Sequence, residues 1–406
     1  MTQKMNRSRF LLGSVAGIAV VANADHVFAR ALASVPLAGT QGRCLVLVNL
    51  QGGNDGLNCV VPHGNPDYYR VRPTLAVRQS DVLAIDSQLG FNPTMTSFKS
   101  MYDKGSVAIV QGVGYPNPDH SHFRSTEIWQ TAAPGRYEHT GWIGRYLDDA
   151  GLPDSNLFNG VSLAPILPEV MVGTKVDVPA IASEAQYGLR VDKNAPQRAA
   201  YTRLVRDERL PFTSPYLAHV MEIEDRSQRG SEELPRLIAG YRTDASYPAT
   251  PLGRSLSLAA QIIGSNIGTR VIYVQHGSFD THVNQVAVQN RLLGEFSDAM
   301  KAFYDDLAAH GADGRVLTMT FSEFGRRIAE NGSSGTDHGE ASPLFLIGGG
   351  TKGGVYGTAP NLDVTNMGNV RFTIDFRSVY ATVLERWLGR PSEPVLAGAF
   401  DQLAIL

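Results

Sequence analysis

Hydrophobic residues in this chain follow two patterns that alternate along its length. Short unbroken apolar runs, bounded by glycine or polar residues, predict buried strands over 45–50, 106–110, 161–167, 270–275, 316–321 and 344–347. Between them, apolar residues recur at helical spacing. Residues 93–102 place Met95, Phe98 and Met101 on one face. Residues 285–310 do the same with Leu292, Leu293, Phe296, Met300, Phe303 and Leu307. Further helices are predicted over 142–150, 252–263 and 377–388, and another opens at His122 with Ser121 at its N-cap. Strands alternating with helices predict an α/β fold of three layers, α/β/α, around a mostly parallel central sheet. Residues 197–210 and 215–229 read as charged helices. They suggest a helical cap inserted at about 168–250 into a single domain spanning 34–406.

Composition sets outer bounds. The chain has 406 residues, 43% of them hydrophobic and 18% charged, which is enough for a large α/β core. A net charge of -3 and the lack of a long basic run give no footprint for nucleic acid. At the N-terminus, Lys4, Arg7 and Arg9 lead into an apolar stretch over 10–22, followed by Ala31-Leu32-Ala33. This reads as an export signal over 1–33, twin-arginine-like except that Ser8 stands where the second arginine would be. The expected location is periplasmic or secreted. The apolar stretch is too short for a stable membrane span in the mature chain. The two cysteines, Cys44 and Cys59, flank one strand and its loop, and read as small buried apolar residues.

Candidate chemistry gathers at the strand ends. Asn54-Asp55 follows the first strand, and Asp280-Thr281-His282 follows the strand at 270–275. Glu323 follows 316–321, and Asp337-His338 precedes 344–347. Ser121 comes from the loop after the strand at 106–110. Open parallel sheets place ligands at one strand edge, so these groups can converge. Asp, Glu and His together suit zinc or another divalent ion. A serine at a helix N-terminus lies beside backbone donors that favour an anion. Each group also has a structural alternative. Asp55 can end a strand in an Asx turn, and Asp280 can cap beside a surface His282. Glu323 can pair with Arg326 or Arg327, and Ser121 can be only an N-cap. His122 is open between ligand and packed core histidine.

The segments LVNLQGGNDGLN, PHGNPDYYRVRPTLA, SHFRSTEIWQTA, FDTH, FSEFGRR and GTDHG resemble the secreted bacterial family called domain of unknown function 1501. That family is similar to the alkaline phosphatase and sulfatase superfamily. The resemblance implies an alkaline-phosphatase-like fold and a site for one or two divalent ions. Zinc is the first expectation, with manganese, calcium and magnesium as alternatives. It also implies roles: Asp55 as a metal ligand, Ser121 as nucleophile, and the pairs Asp280/His282 and Asp337/His338 as ligands. Glu323 joins the metal set from its strand-end position. The implied activity is hydrolysis of a phosphate or sulfate ester, on a small molecule, glycan or lipid. Two features depart from the superfamily. His338 is the last histidine, so a ligand expected near the C-terminus must come from elsewhere, such as His276 or Asp375, or be absent. No cysteine-centred formylglycine signature occurs, since Cys59 is followed by Val60-Val61-Pro62-His63. Two other readings stand beside this one. The first is a non-catalytic assembly protein with an incomplete metal site. The second is an SGNH-like esterase, which Gly52-Gly53-Asn54-Asp55 resembles, with Asn54 as oxyanion donor. Oligomeric state is left unassigned.

Overall fold

The computed structural model describes residues 42–153, 155–181, 215–364 and 368–406. The expected export signal at 1–33 and the helix at 197–210 lie outside the described residues. Strands in chain order are β1 (Cys44–Gln51), β2 (Val60–Val61), β3 (Leu83–Ala84), β4 (Gly90–Phe91), β5 (Val107–Gly114) and β6 (Gly160–Ser162). They continue with β7 (Val271–Gly277), β8 (Val316–Phe321), β9 (Ser342–Gly348), β10 (Gly354–Tyr356) and β11 (Ile374–Asp375). The main helices are α1 (Thr96–Asp103), α2 (His122–Thr131), α3 (Trp142–Asp149), α4 (Pro215–Ile238), α5 (Pro251–Gly264), α6 (Gln285–Ala309) and α7 (Phe376–Thr382).

Two compact units divide the chain. The larger comprises Arg43–Glu138, Thr243–Ser257 and Val274–Leu406. Its sheet runs β10-β5-β9-β8-β1-β7, with β11 beside β5. β1 and β8 pair in parallel from Cys44↔Val316 to Asn49↔Phe321. β9 is antiparallel to both β5 and β8, so the sheet is mixed but mostly parallel. One edge therefore carries the carboxyl ends of β1, β5 and β8 together with the amino end of β9. β5 is buried along its whole length and β1 everywhere except Gln51. That is why both strands read as continuous apolar runs rather than alternating ones.

Helices cover both faces of this sheet. Phe98 of α1 packs 5.3 Å from Phe296 of α6 and 5.1 Å from Phe345 of β9. Trp129 of α2 stacks 4.6 Å from Phe376 of α7 and lies 6.3 Å from Phe321 of β8. The β8/β9 register pairs Met319 with Leu346, which puts Phe345 and Phe321 on opposite faces. The three-layer expectation is met. β2, β4 and β3 form a separate small antiparallel sheet. Both cysteines are buried and neither is in a disulfide, and burial pushes the Cys59 thiol up to about 12.

The smaller unit comprises the described parts of Met1–Gly42, His139–Arg242 and Leu258–Tyr273. In it, β6 pairs in parallel with Val271–Tyr273 of β7. Asp148, at the end of α3, accepts backbone N–H groups from Lys175 and Val176 at 2.9 and 2.8 Å. α4 falls within the span 168–250, where helical structure is expected. Among the described residues, no helix is long and apolar enough to cross a membrane.

Candidate metal centre

The candidate site lies wholly in the larger unit, and two glycines let its loops close. After β1, the chain turns at Gly52 and Gly53, with φ of +106° and +76°. A Cβ on Gly52 would sit 2.5 Å from the Asp280 nitrogen, and one on Gly53 would sit 2.4 Å from the Phe324 ring. Only glycine combines this conformation with this approach. Phe279 N then donates to the Gln51 carbonyl at 2.7 Å, drawing the end of β7 to the end of β1.

Arg326 locks the loops together. Its side chain is fully buried and donates to Gly53 O at 2.8 Å, Thr336 O at 2.8 Å and Phe279 O at 3.1 Å. It also donates to Gly52 O, and to Asp280 Oδ1 at 2.8 Å. A buried guanidinium needs this degree of satisfaction, and here it fixes where Asp280 stands. Burial pushes the Asp280 carboxyl up, but hydrogen bonds from Arg326 and His338 outweigh it and hold the group at about 2.

Three imidazoles face Asp280. His122 Nε2 lies 3.4 Å from Oδ2, while His282 Nε2 and His338 Nε2 lie 3.1 and 3.3 Å from Oδ1. Each ring has its other nitrogen against an acceptor. His122 Nδ1 meets Glu323 Oε1 at 2.8 Å, His282 Nδ1 meets Asp337 Oδ1 at 3.3 Å, and His338 Nδ1 meets the His120 carbonyl at 2.7 Å. Carboxylates and carbonyls can only accept, so each Nδ1 donates, and an Nε2 that gives up its proton is turned toward a cation at Asp280. His282 Nε2 and His338 Nε2 are 2.9 Å apart. Two lone pairs at that separation repel unless a proton or a cation lies against them. His122 Nε2 is buried without any hydrogen-bond partner.

Donor atoms of His122, Asp280 and His338 all lie within 4.8 Å of one another. With His282 they form a set of imidazole and carboxylate ligands whose outer partners are carboxylates and a carbonyl, the arrangement that orients ligands around zinc-type ions. The residues fit a divalent cation. The hydrogen bond that His122 donates to Glu323 is the main cause that raises the His122 pKa, whereas desolvation lowers that of His338. Asp337 is held low, first by the hydrogen bond from Asn331.

The expected site residues separate into groups. Asp280, His282 and His338 meet at the centre. Glu323 and Asp337 stand one bond further out, each holding an imidazole. Asp55 is elsewhere: its carboxylate is completely buried, paired with Arg72 at 2.6 and 3.0 Å, and accepts from Leu57 N at 3.2 Å. Gln285 Nε2 occupies its remaining side. A carboxylate so enclosed has no oxygen left for an ion. Asn54 is 1% exposed, and its Oδ1 accepts from Gln289 Nε2 at 2.9 Å, so it faces the interior rather than a substrate. Ser121 is the N-cap of α2, exposed, with no hydrogen bond to its hydroxyl among the described residues. His276 is buried against the Leu292 carbonyl at 2.8 Å, and Asp375 caps α7 and pairs with Arg377. Neither enters the centre, and His122 supplies the third imidazole. The signal for it was the alternation of His120 and His122 just past a strand. Nothing in the sequence distinguishes Arg326 from its exposed neighbour Arg327.

The family described as "Protein of unknown function (DUF1501)" matches residues 105–396. No curated protein matches the chain. Among solved structures, the lipoteichoic acid synthase LtaP from Listeria monocytogenes is similar at 9% identity and a TM-score of 0.37, over 90% of this chain and 80% of that one. The PsFucS1 sulfatase from Pseudoalteromonas sp. is similar at 11% identity and a TM-score of 0.37, over 89% and 70%. An alkaline phosphatase from the Antarctic bacterium TAB5 is similar at 11% identity and a TM-score of 0.36, over 78% and 94%. These likenesses are distant, and what the site does has to come from the residues of this chain.

Proposed function

The chain belongs to the DUF1501 family of proteins of unknown function, and from that premise we propose that it is an exported, metal-dependent hydrolase of phosphate or sulfate esters. One observation carries the reading: three imidazole Nε2 atoms, each on a ring whose Nδ1 faces an acceptor, converge on the Asp280 carboxylate. His122, Asp280, His282 and His338 would hold the ion, with zinc the best match to their donor atoms. A divalent cation bound there supplies Lewis acidity toward an ester oxygen and lowers the pKa of a nearby hydroxyl.

The remaining groups belong to the protein alone. Ser121 is the residue between His120 and His122, both of which touch the centre's loops, and its hydroxyl is free. It is the nucleophile in this reading: its oxygen bonds to phosphorus or sulfur as the bond to the departing alcohol breaks, and water then cleaves the seryl ester. α2 is ten residues long, and its first-turn N–H groups and dipole favour the anion so formed. Arg327 is exposed beside Asp337 and makes no side-chain hydrogen bond or ion pair among the described residues, so it is available to an anionic substrate. A non-catalytic role was motivated by the absence of a late histidine, and His122 removes that motive. An esterase using Asn54 is disfavoured by that residue's burial.

The test is hydrolysis of 4-nitrophenyl phosphate and 4-nitrophenyl sulfate by the purified protein, before and after chelation and after zinc is restored. Loss on chelation and recovery with zinc are expected for one of the two esters. Undiminished hydrolysis by metal-free protein, or no hydrolysis of either ester by the zinc-loaded protein, would overturn the proposal.

A further inference from the structure

Exposed hydrophobic residues lie next in the chain to ligands of the candidate metal centre. Phe123 is 91% exposed, Val283 59% and Val286 42%. Phe123 directly follows His122, Val283 directly follows His282, and Val286 is in the first turn of α6. Tyr137, 74% exposed, lies over the Arg124 guanidinium at 4.3 Å. Arg124 in turn is anchored to the carbonyls of Pro134 and Arg136 at 3.2 and 3.0 Å.

Folding does not account for Phe123. α2 buries Ser125, Ile128 and Trp129, and Phe123 stands two positions from Ser125, on the far side of the helix. Single exposed apolar residues are ordinary, but several flanking one polar cluster mark a contact surface. The polar groups beside them are already engaged. Asp337 accepts from Asn331 and His282, and the Asn331 amide also donates to the His282 carbonyl.

We infer that Phe123, Val283 and Val286 form an apolar rim that receives the alcohol portion of the ester, so that the substrate is an anionic ester of an apolar alcohol. The inference rests on the ester-hydrolase reading. It deepens that reading by placing the charged end on the centre and the hydrocarbon on the rim.

A series of n-alkyl phosphates or sulfates tests it, because methyl, butyl and octyl esters have nearly equal leaving groups. KM is expected to fall roughly threefold to fourfold for each methylene that the rim buries. The octyl-to-methyl preference should collapse in Phe123→Ser and weaken in Val283→Ser. A KM that does not change with chain length, or a preference that persists in Phe123→Ser, overturns the rim. Binding of methylphosphonate and octylphosphonate to zinc-loaded protein, measured by calorimetry, separates the two claims. If no ester is turned over but octylphosphonate binds tighter and loses that advantage in Phe123→Ser, the hydrolase reading fails and the rim stands. Equal binding of the two phosphonates by the native chain overturns the rim whatever the turnover.

Discussion

Asp280 stands where three imidazoles meet, and each imidazole turns its Nε2 inward because its Nδ1 is already committed. Glu323 is the clearest case, since one of its oxygens serves both Gly52 N and His122 Nδ1 at 2.8 Å. Glu323→Gln can keep the oxygen that both groups bond but loses the charge that holds the proton on His122 Nδ1, and zinc affinity should fall roughly 10- to 100-fold. Competition against a zinc-binding dye reads this, with circular dichroism to show that the fold persists. Asp55 makes the opposite prediction. Arg72→Met leaves a carboxylate buried without its cation and should cost about 3–5 kcal/mol of stability in urea unfolding. Any protein that remains folded should bind zinc as the native chain does. From sequence, Asp55 and Asp280 look alike, each an aspartate just past an apolar strand. What separates them is Arg72, seventeen residues away from Asp55, and Arg326, forty-six away from Asp280. Periodicity and motif spacing carry no information about such pairings.

At the scale of elements, the site depends on strand ends closing against one another. Gly52→Ala combines φ of +106° with a Cβ 2.5 Å from the Asp280 nitrogen. The backbone conformation alone should cost about 1–3 kcal/mol, and the clash should displace Asp280 and weaken zinc binding along with stability. Gly335 has a similar role in the loop before β9, where a Cβ would lie 2.2 Å from the His282 carbonyl. β7 contributes a pH dependence through His276. Burial lowers its pKa, partly offset by the Leu292 carbonyl and Glu295, with Arg291 acting in the same direction as burial. The unfolded chain therefore takes up the proton first. Stability is fully present above the ordinary value of 6.5 and is lost as pH falls below it toward the lowered folded value. Urea midpoints at pH 7.5 and 5.5 should drop more in the native chain than in His276→Gln. The strand runs at 45–50 and 316–321 and the helix at 285–310 were legible because burial imposes a pattern on long elements. β10, β11 and the small β2-β4-β3 sheet were not, since strands of two or three residues leave no period to read. The reversed direction of β9 was also hidden, because strand direction is a property of pairing and not of composition.

For the molecule as a whole, the mixed sheet explains why a site can be spread so thinly along the sequence. Its ligands come from the loops after β5, β7 and before β9, and their outer partners from those same loops and the one after β8. The alternation of strands and helices made that shared edge foreseeable, while the exchange of Asp55 for His122 was not. A cation that binds only the folded chain should stabilise it. Zinc at a hundredfold excess over its dissociation constant adds about 2.7 kcal/mol, read as a rise in the unfolding midpoint that chelation reverses. The most direct measurement is X-ray absorption at the zinc edge of the loaded protein, set beside that of His122→Gln. Three imidazole nitrogens with oxygen in the native spectrum, and one imidazole fewer in the variant, are predicted. Failure to retain zinc, or a shell unchanged by the loss of His122, would contradict the centre built around Asp280.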